Sequence, residues 1–100
     1  MEGADRDDEN MQERVVEARL ALAQSFAADG KAQDAERLYK QTLGHAEAMA
    51  GENSPLVGSV LLDLIDLYEA QGRHDEAKVL WGRVRKILLL HLPKLLQRAE

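Results

Sequence analysis

Imidazoles at His45, His74 and His91 and the adjacent carboxylates Asp75 and Glu76 are the groups with the intrinsic capacity to move protons or hold a metal ion. Either chemistry needs several such groups converging on one point, which spacing reveals when two ligands share a helix face. The histidines are scattered, and none stands in the His-Glu-x-x-His spacing of a helical zinc site. His74 falls in a turn between helices, and Asp75 and Glu76 open the helix that follows, where negative charge offsets the positive end of the macrodipole. The sequence has no cysteine, which excludes a thiol nucleophile, a disulfide scaffold and zinc held by thiolates. No glycine-rich loop is spaced to cradle a phosphate, and no serine stands beside a plausible base. The residues therefore predict no enzyme, no metal and no cofactor, and leave recognition of another molecule as the work to explain.

A chain of 100 residues makes one domain. It is 45% hydrophobic but holds only two prolines and 4% aromatic residues, a balance that favours packed helices over strands. The net charge of −5 argues against a general nucleic-acid binder, and it is unevenly spread. Residues 1–10 carry five acids and one base, for a net −4, whereas residues 73–100 carry seven bases and three acids, for a net +4. The intervening residues 11–72 sum to −5, so the helical part is dipolar. No apolar run approaches the ~20 residues of a membrane helix, and the acidic start is unlike a signal peptide, so a cytoplasmic protein is expected.

The positioning elements follow from periodicity. Residues 1–10 have almost no large apolar side chain, and burial cannot offset the entropy of ordering them, which predicts a disordered acidic head. From Met11 a helical pattern begins, with Val15, Leu22 and Phe26 on one stripe, flanked by Val16, Leu20, Ala23 and Ala27. Asp29-Gly30 should end it, since glycine accepts the left-handed conformation of a helix stop. A second helix spans about Lys31 to Ala50, with Ala35, Leu38, Tyr39 and Leu43 on its apolar side and Gly51 as its stop. Ser54-Pro55 signals a third, because the hydroxyl caps free backbone donors and proline loses nothing in the first turn. Its stripe is Leu61, Leu64, Ile65 and Tyr68, closed by Gln71-Gly72. A fourth helix from about His74 aligns Ala77, Leu80, Trp81, Val84 and Leu88, and Pro93 should end or bend it, with a short segment beyond that folds back or continues bent.

The two halves repeat at an offset of 42 residues. Leu20/Leu62, Leu22/Leu64, Ala28/Ala70, Gly30/Gly72, Ala35/Ala77 and Leu38/Leu80 are identical pairs, while Phe26/Tyr68, Lys31/Arg73, Asp34/Glu76 and Tyr39/Trp81 are conservative ones. They fall on the turn glycine, the buried stripe and the small alanine where two helices approach. The run from Leu61 through Leu64, Ile65, Leu67, Tyr68, Gln71, Gly72, Arg73, Glu76, Ala77 and Leu80 to Trp81 resembles a tetratricopeptide repeat. With Gly51, Pro55 and Val57 upstream and the long period, it is similar to the kinesin-light-chain variety, and residues 16–57 resemble a weaker first copy. Ser54 replaces the histidine usual before the proline, and Asp63 an asparagine frequent in the first helix.

The resemblance implies an all-α fold of two stacked antiparallel helix-turn-helix hairpins, a fragment of an α-solenoid, with a short C-terminal helical segment. Residues 11–91 divide into copies at about 11–53 and 54–91, and 92–100 cap or make contacts. It also implies protein binding on the inner face of the first and third helices, at Glu17, Leu20, Gln24, Leu62, Asp63, Asp66 and Glu69. That face lacks the Lys, Arg and Asn with which the co-chaperone type grips a terminal carboxylate, so a peptide or helix that is basic or neutral fits better. The end of the chain carries more leucine than one repeat needs. Leu89, Leu90, Leu92, Leu95 and Leu96 are expected either to seat the chain's own last residues or to join another subunit, in the limit making a homo-oligomer with no separate client. Arg83, Arg85, Lys86, Lys94 and Arg98 complement the carboxyl end of the last helix, in preference to forming a membrane or nucleic-acid patch.

Overall fold

A computed structural model of the chain describes the backbone of residues 2–98 and the side chains of residues 11–94. It consists of four helices, α1 (Glu2–Ala28), α2 (Ala32–Ala50), α3 (Pro55–Ala70) and α4 (His74–Arg98), and no strand occurs among the described residues. α1 pairs with α2 and α3 with α4 as two hairpins, and α3 lies against both helices of the first hairpin.

The same turn closes α1 and α3. The Lys31 amide donates to the Phe26 carbonyl (2.8 Å) and Gly30 to Ala27 (3.1 Å); 42 residues on, Arg73 donates to Tyr68 (2.8 Å) and Gly72 to Glu69 (3.0 Å). This crossing of 6→1 and 5→2 bonds requires a left-handed residue, and Gly30 and Gly72 supply it at φ +80° and +74°. At the start of α3 the Ser54 hydroxyl accepts from the Val57 amide at 3.2 Å, with Pro55 in the first turn.

Burial is greatest on α3, the central helix. Val57, Val60, Leu61, Leu64, Ile65, Leu67 and Tyr68 are buried against Val16, Leu20, Ala23, Ala35, Tyr39 and Ala46 on one side and Ala77, Val84 and Ile87 on the other. Gly58 permits the approach of α4, since a β-carbon there would lie 3.7 Å from Ile87 Cγ2. Thr42, the one buried polar side chain among the described residues, donates to the Leu38 carbonyl at 2.7 Å.

Three expectations need correction. The buried stripe of α1 is centred on Val16, Leu20 and Ala23, leaving Val15 and Leu22 exposed. On α4, Ile87 is buried and Leu88 is not, and Trp81, expected in the core, is 44% exposed. Pro93 neither ends α4 nor starts a folded-back segment, for the helix runs on to Arg98. Proline removes one backbone bond and crowds the preceding turn, and that turn carries Leu89 and Leu90 in solvent, where water can meet the freed carbonyl. The backbone of residues 2–10 continues α1. No proline interrupts those residues, and extending an existing helix costs far less than nucleating one. The side chains of residues 2–10, and those of Leu95 and Leu96, lie outside the described residues.

Candidate functional site

Helices α1, α2 and α3 enclose a cleft of about 340 Å³ next to the α1–α2 turn, with Gln24, Tyr39, Asp63, Asp66 and Gln71 as its polar lining. Asp63 and Asp66 lie three residues apart on α3, so helical geometry sets both carboxylates on one wall. Gln24 reaches across from α1, and its amide donates to Asp63 Oδ2 at 2.8 Å. Partial burial raises the Asp63 pKa, the hydrogen bond from Gln24 opposes that rise, and the nearby Asp66 charge adds to it. Tyr39 is 3% exposed, and its phenol is pushed up to about 12, first by burial and then by the Asp63 and Asp66 charges. The cleft thus has an apolar base and a negative wall, and neither aspartate has an ion-pair partner among the described residues.

The other sequence-predicted groove residues are placed elsewhere. Leu20 is in the core at 9% exposure, Glu17 is exposed outside the cleft lining, and Glu69 Oε2 lies 2.7 Å from His74 Nδ1 at the next turn. Leu62 points the other way and lines an apolar hollow with Gly58, Val84, Ile87 and Leu88 between α3 and α4. Of the leucine edge, Leu89, Leu90 and Leu92 are exposed. A larger cleft of about 580 Å³ sits at the opposite end of α1 and α3, lined by Gln12, Glu13, Met49 and Pro55; it is wide but gathers a single charge.

Sequence reasoning missed the polar clamp that holds the two hairpins in register. Arg73, at the start of α4, donates to Glu36 of α2 through Nη1 at 2.6 Å and Nη2 at 3.3 Å, and to Glu76 through Nε at 2.8 Å and Nη2 at 2.6 Å. Its guanidinium sits 4.2 Å over the Tyr68 ring, whose hydroxyl donates to Glu36 Oε2 at 3.2 Å. Lys40 adds a contact to the same oxygen at 2.9 Å. The Arg73 hydrogen bonds hold the Glu36 carboxyl at about 2, well below the usual range. The i, i+3 pair of Arg73 and Glu76 was legible in sequence, whereas Glu36 is 37 residues away and has no local signal. A second tie joins Arg83 of α4 to Glu47 of α2 at 2.8 Å. His91 Nε2 donates to the Asn53 carbonyl at 2.9 Å.

Among the described residues no three His, Asp or Glu side chains converge on a point, and no helix is long and apolar enough to cross a membrane. Comparison with curated proteins and with solved structures gives no significant match. The family model for the tetratricopeptide repeat matches residues 14–87, which takes in most of both hairpins, both glycine turns and the aspartate wall of the cleft. The chain belongs to the tetratricopeptide repeat family.

Proposed function

We propose that this chain is a protein-interaction module whose cleft takes a basic segment, peptide or helix, of a partner protein. The observation that carries the reading is the pair Asp63 and Asp66 on the wall over Tyr39, with no cation of the chain's own in ion-pair reach among the described residues. A lysine or arginine entering there meets two carboxylates, of which Asp63 is already partly desolvated by the fold, and this favours a cationic ligand and rejects an anionic one. The equal turns 42 residues apart support the longer, kinesin-light-chain-like variety of the repeat.

Calorimetry with a lysine- and arginine-rich peptide tests this, with a glutamate-rich peptide as control. The basic peptide should bind and the acidic one should not. Asp63→Lys with Asp66→Lys should weaken binding about tenfold or more and leave the assembly state unchanged. Equal binding of both peptides, or affinity untouched by the double substitution, would overturn the cleft.

A second reading is favoured by the exposure of Leu89 (64%), Leu90 (53%) and Leu92 (42%), large apolar side chains grouped near the end of α4. It is self-association, with the repeats serving to build an assembly.

A further inference from the structure

We propose that the far face of the second hairpin receives helix α1 of a second copy of this chain, head to tail, so that the copies continue the stack that each begins. The proposal rests on the self-association reading and gives it a surface and a polarity.

Within one chain this contact is already made once. Leu20, Tyr39 and Ala46 of the first hairpin are buried where α3 lies across α1 and α2. Their counterparts 42 residues on are Leu62, Trp81 and Leu88, which are 41%, 44% and 53% exposed. Leu62 and Leu88 flank an apolar hollow of about 190 Å³ whose lining includes Val84 and Ile87. The complementary surface is exposed at the other end of the molecule. Val57 and Leu64, by which α3 seats itself, are 0% and 2% exposed, and their α1 counterparts Val15 and Leu22 are 39% and 51% exposed.

Charge and length decide the occupant. α3 follows α2 through a short turn and runs antiparallel to it, so an α1 seated in the same way lays its N-terminal part along the C-terminal part of α4. That brings the net −4 of residues 1–10 beside the net +4 of residues 73–100. Pairing two far faces back to back would instead set +4 against +4. Both helices also outrun their counterparts on the matching sides. α1 has 27 residues to the 16 of α3, the excess lying at its N-terminus, and α4 has 25 to the 19 of α2, the excess at its C-terminus. α4 is still helical at residues 93–96, where α2 has already turned at 51–54, so the turn that would launch a third helix in register is not formed there. One residue loosens the joint: Arg19 stands where α3 has the fully buried Leu61, so its stem can pack but its charge must reach water.

Light scattering behind size exclusion tests the proposal with full-length protein. The mass should rise with concentration and fall on adding salt. Trp81→Glu and Leu22→Glu should each weaken association about a hundredfold or more when alone. Mixed together, the two variants retain one good face each and should form a dimer that grows no further. A wild type monomeric at every concentration overturns the joint and the self-association reading together. Undiminished association of Leu22→Glu overturns the joint, and loss of assembly only on Leu89→Glu with Leu90→Glu overturns it while leaving self-association standing. Oxidative cross-linking supplies a check that places no charge in the interface. Tyr39 and Asp63 line one cleft, so their counterparts, Trp81 of one copy and Ala21 of the next, should be neighbours. Trp81→Cys mixed with Ala21→Cys should give mainly the mixed disulfide, and a preference for either homodimer overturns the polarity.

Discussion

The two hairpins of this chain place similar residues at equivalent positions and give them different surroundings. Leu20 is 9% exposed and Leu62 is 41%; Tyr39 is 3% and Trp81 is 44%; Ala46 is 0% and Leu88 is 53%. Their turns, by contrast, agree to within 0.1 Å in both crossing hydrogen bonds. The difference therefore lies in what covers each hairpin. The first has α3 across it, and the second has no described element there.

If that account holds, deletions at paired positions should separate sharply. Leu20→Ala removes a largely buried side chain and should cost about 3 kcal/mol, whereas Leu62→Ala, already partly in water, should cost about 1 kcal/mol. Chemical denaturation of both variants measures the gap, and equal losses would break the comparison. At the turns the prediction is equality. Gly30→Ala and Gly72→Ala each force a β-carbon into the left-handed region with open space around it, so both should lose about 1 kcal/mol, from backbone strain alone.

The clamp between the hairpins gives an effect no larger than that of the turns, and it carries a pH signature. Arg73 holds the Glu36 carboxyl at about 2 against an ordinary 4.5. A carboxyl whose folded pKa is depressed contributes in full above its unfolded value, so stability should be lost as pH falls from about 4.5 toward 2. Glu36→Gln should cost about 1 kcal/mol at neutral pH, a modest figure because water reaches Arg73 and screens the pair, and almost nothing near the bottom of that window. Thermal melts of both proteins across acid pH should converge at low pH. A constant difference would mean that the Glu36 charge does not help to hold the two hairpins together.

How far the cleft could be read from sequence follows the same division. Asp63 and Asp66 share a wall because residues three apart share a helix face in any helix, and Gln24 joins them only because α1 packs on α3. Leu20 and Leu62, equivalent by the repeat, were expected together in one groove and lie in the core and in the far hollow respectively. Trp81 was expected inside because its counterpart Tyr39 belongs inside, but burial depends on the next layer and not on residue type. The clamp through Glu36 was invisible because its partners meet only after two helices have packed.

By itself the sequence determined what is local. Glycines at Gly30 and Gly72, the Ser54-Pro55 cap and the three- and four-residue apolar spacing set the number of helices, most of their ends and the 42-residue repeat, since turn and cap energies depend on a few adjacent residues. Tertiary structure decided which apolar side chains are covered, which carboxylates face a cleft and which one meets Arg73. Those outcomes depend on distances between residues about 40 positions apart, and packing of one helix on another brings them within contact.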